Sequence, residues 1–357
     1  MIHADAPTGR CSCRGTLPGR ITGPGGLYLW LPSIHAVEKV HGYLRDGDWS
    51  CQLNEEDRCV LVRLNGKGFG GLFDDLSGIL IATERNDARA LFKPGLGELS
   101  VSDFPKVRSL RQIVALGQAD WLLDMLSEQR LTSLFQPIVW TEEPTKVYAY
   151  ECLLRGIEID GSLISPAYIL DVARDSGMIY ATDLAARTTA IRESVLRNVR
   201  SNLFINFTPT SVHEPACCLR STIDAIDEAG IPHENVIFEI TETDKAHDVH
   251  RLGSIVEYYR RFGFGIALDD VGSGYSSLNL IHQLRPDFIK LDMHLIRGVD
   301  RDPYKATIAQ KILEIAQNLG IRTVVEGIET AGEMGWVRDQ GATFVQGYLI
   351  EKPSSLS

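Results

Sequence analysis

The sequence predicts an α/β protein in which a small α/β N-terminal domain precedes a (β/α)8 TIM-like barrel. Three observations support this fold class. Eight short β-rich runs lie between residues 131 and 350, helical segments follow most of them, and the region has about 225 residues, which suits such a barrel. A doubly wound open sheet is the alternative that the same alternation allows.

The eight runs are rich in β-branched and aromatic residues, as buried strands are. They are LFQPIVW (134–140), VYAYECLLR (147–155), LFINFT (203–208), VIFEIT (236–241), FGIALDD (264–270), DFIKLD (287–292), RTVVEGI (322–328) and FVQGYLI (344–350). Helices are predicted over 166–178, 181–198, 248–262 and 304–319. Only a short polar turn separates the first two runs, so we predict that the first strand is antiparallel to the second.

The first third of the chain has a different pattern. After a Gly- and Pro-rich stretch over 1–26, a strand is predicted at 27–31, a helix at 33–45, and strands at 48–53 and 58–64. This order indicates a small sandwich of the type β-α-β-β-α-β. Segment 98–109 has the composition of a linker, and the apolar spacing of 110–130 predicts a helix leading into the barrel. We therefore predict domains over 1–110 and 111–357.

Composition restricts the classes of function. The 357-residue chain has a net charge of −11 and a pI near 5.3, which argues against a nucleic-acid polymer as the main partner. An anionic small molecule would need a metal ion or a local basic group to receive it. No apolar run approaches the ~18–20 residues of a membrane span, the N-terminus lacks a signal-peptide core, and the scattered cysteines do not indicate a disulfide framework. We expect a cytoplasmic, reduced protein.

Nearly every predicted barrel strand ends with a polar residue that an ordinary core avoids. In chain order these residues are Glu151, Asn206, Glu239, Asp269 with Asp270, Lys290 with Asp292, Glu326 with Glu329 beyond it, and Gln346. One acidic strand end is usually a helix cap or a solvated turn, but seven successive strand ends with carboxylates, amides and one lysine are not explained in that way. In a barrel these ends meet at the C-terminal face, where barrel active sites lie.

Carboxylates in such number repel one another unless cations neutralise them. Oxygen and amide ligands without His or Cys favour Mg²⁺ or Mn²⁺ over zinc. Strand alternation points the adjacent Asp269 and Asp270 in different directions, so two ions about 3.5–4 Å apart would use both. A paired-metal site suits attack on a phosphodiester.

Eight short motifs resemble those of the EAL-domain cyclic di-GMP phosphodiesterases, in the family's order. They are QPIV (136–139), ECLLR (151–155), INFT (205–208), EITE (239–242), DDVGSGYSSL (269–278), KLD (290–292), EGIE (326–329) and QGYL (346–349). The resemblance covers about residues 115–353. It implies hydrolysis of cyclic di-GMP to linear pGpG, with Mg²⁺ or Mn²⁺ as the cofactor of a two-metal site. We also expect a homodimer formed through the barrel.

The resemblance assigns metal ligands position by position. It makes Glu151, Asn206, Glu239 and Asp269 the ligands of a first ion. Asp269 is then expected to bridge to a second ion, which Asp270 also holds.

The same resemblance assigns the remaining polar residues. Glu326 is expected to act as the general base or as a second-metal ligand, and Lys290 to orient the attacking water. Glu242 is expected to fasten the loop over 271–277. The expected substrate-binding residues are Arg155, whose guanidinium suits a phosphate, and Gln136, Gln346 and Glu329.

The chain departs from the family's pattern at three positions, and none of them removes a ligand or the base. Cys152 stands in place of the usual Ala, Val271 in place of Phe, and Ser273 in place of Thr. Strand alternation turns Cys152 away from the mouth of the barrel, where a thiol acts as a small apolar group.

Two other functions stay open at this point. A catalytically silent receptor would bind cyclic di-GMP and act through a protein partner, but receptors of this kind typically lose metal ligands or the base. An unrelated barrel enzyme, such as a metal-dependent lyase, requires the motif order to be accidental. Residues 1–110 show no family resemblance, and their position suggests a regulatory or oligomerising role with an unknown regulator. The two cysteines Cys11 and Cys13 do not indicate a specific function, and the GKGFGG motif (66–71) does not either.

Overall fold

The computed structural model describes residues 17–64, 70–95, 97, 99–212, 215–241, 249–272 and 277–356. The predictions for Cys11, Cys13, Glu242, Ser273 and most of the GKGFGG motif lie outside these residues. The chain divides into two compact units, a smaller one of residues 17–128 with 167–179 and a larger one that takes in 129–166 with 180–357. The limits of these two units differ from the predicted domain boundary at residue 110. That residues 111–357 form a domain able to fold by itself stays a prediction.

The smaller unit is an α/β sandwich. Its elements are β1 (Gly25–Trp30), α1 (Ile34–Asp46), β2 (Cys51–Asn54), β3 (Cys59–Leu64), α2 (Gly70–Ile79), α3 (Ala82–Asp87), β4 (Arg89–Pro94), a 3-10 helix (Val101–Lys106), β5 (Arg108–Ser109), α4 (Leu110–Gly117), α5 (Asp120–Ser127) and most of α6 (Pro166–Ser176). The strands form an antiparallel sheet in the order β2-β3-β1-β4-β5. The predicted small α/β domain is confirmed.

Local sequence explains these elements. Val60, Val62 and Leu64 alternate with more exposed residues along β3 and bury one face of the strand. Helix α1 begins after Ser33, whose hydroxyl accepts a hydrogen bond from the backbone N–H of Ala36.

Two predictions for the end of this unit are wrong. Segment 98–109 is not a linker, because it contains the 3-10 helix and β5, which pairs with β4 at the edge of the sheet. The predicted helix over 110–130 is two helices, α4 and α5. The first ends at Gly117, where the ring of Phe73 lies so close that it leaves no room for a Cβ atom.

The larger unit is the barrel. Its elements are β6 (Leu131–Trp140), β7 (Val147–Ile157), β8 (Leu163–Ile164), α7 (Ile179–Leu196), β9 (Asn202–Asn206), α8 (Pro215–Cys218), α9 (Arg220–Ala229), β10 (Val236–Thr241), α10 (Val249–Arg261), β11 (Gly265–Val271), α11 (Ser277–Leu284), β12 (Phe288–Leu291), α12 (Met293–Ile296), α13 (Pro303–Leu319), β13 (Arg322–Val325), α14 (Ala331–Asp339) and β14 (Phe344–Val345). The last two strands are shorter than predicted.

Eight of these strands close on themselves in the order β6-β7-β9-β10-β11-β12-β13-β14. Strand β6 is antiparallel to both of its neighbours, β7 and β14, whereas the other neighbouring pairs are parallel. The predicted barrel and its antiparallel first strand are therefore confirmed. None of the helices in the described ranges combines the length and hydropathy needed to cross a membrane.

Each of the eight strands places one apolar side chain inside the barrel. We call these residues the apolar layer: Ile138, Ala149, Phe204, Ile237, Ala267, Phe288, Val324 and Phe344. A separate and larger cluster, which includes Cys152 and Ile205, packs between the strands and the surrounding helices. Cys152 therefore points outward from the barrel interior, as strand alternation predicts.

Candidate active site

A second layer of side chains lies next to the apolar layer inside the barrel. Each of its members is two positions along the chain from a residue of the apolar layer, so strand alternation gives both the same direction. We call these residues the polar layer: Gln136, Glu151, Asn206, Glu239, Asp269, Lys290, Glu326 and Gln346. The last two follow directly after β13 and β14, where the backbone N–H of Glu326 still bonds Leu291 and that of Gln346 bonds Val325.

Lys290 lies among four carboxylates of the polar layer. Its Nζ is 2.7 Å from Oε1 of both Glu239 and Glu326, 3.3 Å from Asp269 Oδ1 and 3.4 Å from Glu151 Oε1. The side chains of Lys290 and Glu239 are fully buried. A buried charge is costly unless it is paired, so this lysine and these carboxylates depend on one another.

Amide side chains also contact the Glu151 carboxylate, at both of its oxygens. Gln346 Nε2 donates to Glu151 Oε2 at 2.6 Å and to Gln136 Oε1 at 3.0 Å, and Asn206 Nδ2 lies 3.5 Å from Glu151 Oε1. Gln136 in turn donates to the backbone carbonyl of Glu351. These bonds fix Glu151 from two directions.

Burial makes four acidic groups of the site hard to ionise. Burial raises the pKa of Glu326 to about 8, even though Lys290 opposes the rise. Burial and the charge of Asp269 raise the pKa of Asp270 to about 6. Burial also raises the pKa values of Glu239 and Asp269. For Lys290, burial favours the neutral form, but the surrounding carboxylates outweigh it and raise the pKa, so the ammonium stays charged.

Asp269 and Asp270 both reach the site because β11 is irregular at this point. The pairing of β11 with β12 shifts between Leu268 and Val271, and Asp270 has a φ of 57°. The Asp270 N–H also bonds Asp269 Oδ1 at 2.9 Å. A regular strand would turn the two side chains to opposite faces, whereas a bulge redirects one of them.

The donor atoms fit a divalent cation. One carboxylate oxygen each from Asp269, Asp270 and Glu326 can be chosen within 4.8 Å of one another. Both oxygens of Glu239 are buried, and within the described chain neither accepts a directed hydrogen bond, although Lys290 is 2.7 Å from one of them. Buried carboxylate oxygens suit a hard cation, which takes carboxylate and amide oxygens as ligands.

Two predicted site residues lie apart from the polar layer. Arg155 is four residues beyond Glu151 on β7, half-buried, and donates to the carbonyl of Leu154. Glu329 is partly exposed and forms an ion pair with Arg297. Phosphate binding by Arg155 and substrate binding by Glu329 stay predictions, as does the role of Glu242.

Sequence reasoning missed a buried ion pair behind the site. Arg187 is fully buried and donates two hydrogen bonds to Asp183 Oδ2, at 2.8 and 3.1 Å. The other oxygen of Asp183 accepts from the backbone N–H of Thr208 at 2.9 Å, two residues after Asn206. The spacing of four on one helix is the only sequence signal, and it is typical of exposed pairs as well.

A (β/α)8 barrel with an acidic mouth defines the class of this protein, and comparison with known proteins defines the family. The model of the EAL domain matches residues 119–353, which is more than half of the chain. The chain belongs to the EAL domain family.

Curated relatives are similar over the same region. "Probable cyclic di-GMP phosphodiesterase PdeG" of Escherichia coli K12 is 29% identical over 237 residues, which are 64% of this chain and 45% of that protein. "Cyclic di-GMP phosphodiesterase NbdA" of Pseudomonas aeruginosa is 26% identical over 267 residues, 73% of this chain and 34% of that protein. The chain thus matches about a third to a half of the length of these relatives.

Among solved structures, a standalone versatile EAL protein from Vibrio cholerae O395 in its c-di-GMP-bound form is 34% identical, with a TM-score of 0.57. The match covers 63% of this chain and 92% of that chain. The PaMucR phosphodiesterase in complex with c-di-GMP is 26% identical, with a TM-score of 0.59. That match covers 65% of this chain and 95% of the PaMucR chain.

Proposed function

We propose that this protein is a metal-dependent phosphodiesterase that hydrolyses cyclic di-GMP to linear pGpG. The observation that carries the proposal is the polar layer, in which all eight barrel strands direct a carboxylate, amide or ammonium group into one space. The names of the related phosphodiesterases and the c-di-GMP in two similar structures support the choice of substrate.

We assign the metal ligands as the family's motifs imply. Glu151, Asn206, Glu239 and Asp269 would hold one Mg²⁺ or Mn²⁺ ion, and Asp269 with Asp270 would hold a second. Bound divalent cations supply a more acidic water and stabilise the charge that develops on the phosphodiester. The oxygen-only donor set and the bulge that brings Asp270 to the site support this assignment.

Glu326 and Lys290 have the separate roles of base and positioning group. Glu326 would accept the proton of the attacking water, for which its pKa of about 8 suits it near neutral pH. As the water oxygen forms its bond to phosphorus, one P–O ester bond breaks, the leaving sugar oxygen takes up a proton from solvent water, and the ring opens to pGpG. Lys290, which stays charged, would orient the water and hold Glu326 in place at 2.7 Å.

Substrate binding is assigned to residues around the polar layer. Arg155 would grip a substrate phosphate, because a half-buried guanidinium can donate two parallel hydrogen bonds to it. Gln136, Gln346 and Glu329 would contact the substrate nearby, and Glu242 would fasten the loop over 271–277. We further infer a homodimer formed through the barrel and a cytoplasmic location, and we assign residues 1–110 to regulation.

The alternative function is a receptor that binds cyclic di-GMP without turnover. Such a receptor has no need of a base or a full set of metal ligands. This chain keeps Glu326 and every proposed ligand, and one oxygen each of Asp269, Asp270 and Glu326 can be chosen within 4.8 Å of one another. These residues favour the phosphodiesterase over the receptor.

The test is to incubate the purified protein with cyclic di-GMP and Mn²⁺ and to measure pGpG by chromatography. We expect turnover by the wild type. In Glu326→Gln, we expect kcat to fall about 10²–10⁴-fold with KM little changed, because the proton acceptor is lost and its shape is kept. Glu314→Gln, an identical change at an exposed position of α13, is the control and should retain full activity. Binding without any turnover in the wild type would identify a receptor instead.

A further inference from the structure

A pocket of about 520 Å³ in the smaller unit is lined by four arginines and a single carboxylate, that of Asp175. The arginines are Arg89, Arg108, Arg111 and Arg174, and we call the site the arginine pocket. In a chain with a net charge of −11, this is a local excess of positive charge. Such a site attracts an anion that the rest of the surface repels.

Two of the four guanidinium groups are matched by carboxylates. Arg111 lies 2.6 Å from Asp175, and Arg174 lies 3.0 Å from Asp171. Arg89 donates to the backbone carbonyls of residues 86–88, so its charge has no anionic partner there. Arg108 makes neither a side-chain hydrogen bond nor an ion pair within the part of the chain that the structure describes. The arginine pocket therefore has two positive charges without counter-charges.

The backbone of Arg108 is fixed in the sheet, and its side chain lies against Gly177. Its backbone pairs with Ala90 at the edge of the sheet, and its side chain is half-buried. Its Nη1 atom is only 2.7 Å from the point that a Cβ atom of Gly177 would occupy, and Gly177 has a φ of +73°. A guanidinium that is ordered before an anion arrives loses less entropy on binding it.

The arginine pocket continues into a second cavity of about 330 Å³. The two cavities share Asn86 and the Arg111–Asp175 pair, and Val114 and Ala115 add apolar surface to the second one. An anionic group in the first cavity thus has room beside it for an organic group.

We propose that the arginine pocket binds a small phosphomonoester, with the phosphate group on Arg108 and Arg89 and the organic group in the second cavity. Guanidinium groups match phosphate oxygens in geometry and charge, and two unmatched guanidiniums suit a dianion. The site lies within the smaller unit, and the inference does not depend on the reaction that we propose for the barrel.

The test is isothermal titration calorimetry of the full chain with GMP and with inorganic phosphate, at constant ionic strength. The protein is first treated with EDTA and then dialysed free of it, so that the acidic barrel mouth holds no cation that could receive the anion and no EDTA competes for the arginine pocket. We expect GMP to bind more tightly than inorganic phosphate. Arg108→Ala should raise the GMP Kd about tenfold or more, since it removes charge-assisted hydrogen bonds.

Arg63→Ala is the matched control, because Arg63 is exposed on β3 and outside the arginine pocket. It should leave the Kd unchanged. Arg89→Ala should also weaken binding, and it serves as the second variant if circular dichroism shows that Arg108→Ala is misfolded. Absence of binding, or an equal Kd in the Arg108 and Arg63 variants, would overturn the site. Equal affinity for inorganic phosphate and GMP would overturn the assignment to a phosphomonoester.

Discussion

The apolar and polar layers of the barrel lie on the same strands, two residues apart, and they differ in almost every physical property. In the apolar layer, the rings of Phe204 and Phe288 pack edge to face with centroids 5.1 Å apart. In the polar layer, one ammonium faces four carboxylates, and burial raises the pKa values of Glu239, Asp269 and Glu326. The first layer is thus a conventional core, and the second is a costly arrangement in the absence of a cation.

This difference shows how one barrel separates stability from chemistry. Burial of carboxylates works against folding unless something compensates their charge, whereas burial of aromatic rings favours it. We therefore expect substitutions in the polar layer to remove activity with little loss of stability, and substitutions in the apolar layer to do the reverse. The predictions below test that separation, from the largest effect to the smallest.

The largest effect is expected from the proposed metal ligands. Glu151→Ala and Asp269→Ala should each abolish turnover of cyclic di-GMP, because each removes an oxygen donor that no neighbour replaces. Asp339→Ala, at the end of α14, is the control and should keep wild-type kcat. Retention of a tenth of wild-type activity by both ligand variants would contradict the two-metal assignment.

A matched pair of substitutions compares the stability of the two layers. Phe288→Ala should lower the free energy of unfolding by about 3–5 kcal/mol, because it leaves a cavity in the apolar layer. Glu239→Gln should leave the metal-free protein at least as stable, since Lys290 keeps three other carboxylates within 3.4 Å. Urea unfolding in EDTA measures the free energy of unfolding of both variants. Destabilisation by Glu239→Gln as large as that by Phe288→Ala would mean that the polar layer also stabilises the fold.

The pH dependence of stability should reveal the polar layer without any mutation. Glu326, with a pKa of about 8, and Asp270, with about 6, hold protons in the folded metal-free chain that the unfolded chain releases at lower pH. Since the folded state binds more protons, stability falls as the pH rises from about 5 to 8. Mg²⁺ binding compensates the ionised carboxylates, so the rise in Tm on adding Mg²⁺ should be larger at pH 8 than at pH 6. An equal rise at both pH values would contradict the proposed ligand set.

The smallest effect is expected from Cys152, which neighbours Glu151 but belongs to the outer cluster. Burial raises the pKa of its thiol, which should therefore react slowly. Cys152→Ala should change kcat and KM by no more than about twofold and stability by no more than about 1.5 kcal/mol. Strong inhibition by a thiol reagent that this substitution relieves would show that the side chain is accessible from the site.

Strand alternation made most of the barrel predictable. Strand alternation places Glu151 and Cys152 on opposite faces of one strand. It also directs the polar residue of each of the remaining seven strands inward. The bulge that turns Asp270 toward the site is not visible in the sequence, because it depends on the pairing of β11 with β12. For the same reason the sequence of the two-residue strand β5 indicates a linker, since only its pairing with β4 makes it a strand.

Two other features depend on tertiary contacts that the sequence does not encode locally. The Asp183–Arg187 pair has the spacing of a surface ion pair, and only packing against Thr222 and Tyr259 makes it a buried support for the loop after Asn206. The arginine pocket combines residues from segments about 80 positions apart in the chain, such as Arg89 and Arg174. Such sites become apparent only when the fold is known.

The most direct test of the central claim is removal and return of the metal during turnover of cyclic di-GMP. We predict that EDTA stops pGpG formation, that Mg²⁺ or Mn²⁺ added in excess restores it, and that Ca²⁺ does not, because it is larger and more loosely coordinated. Continued hydrolysis in EDTA, or full activity with Ca²⁺, would contradict a site in which the polar layer holds two tightly coordinated cations.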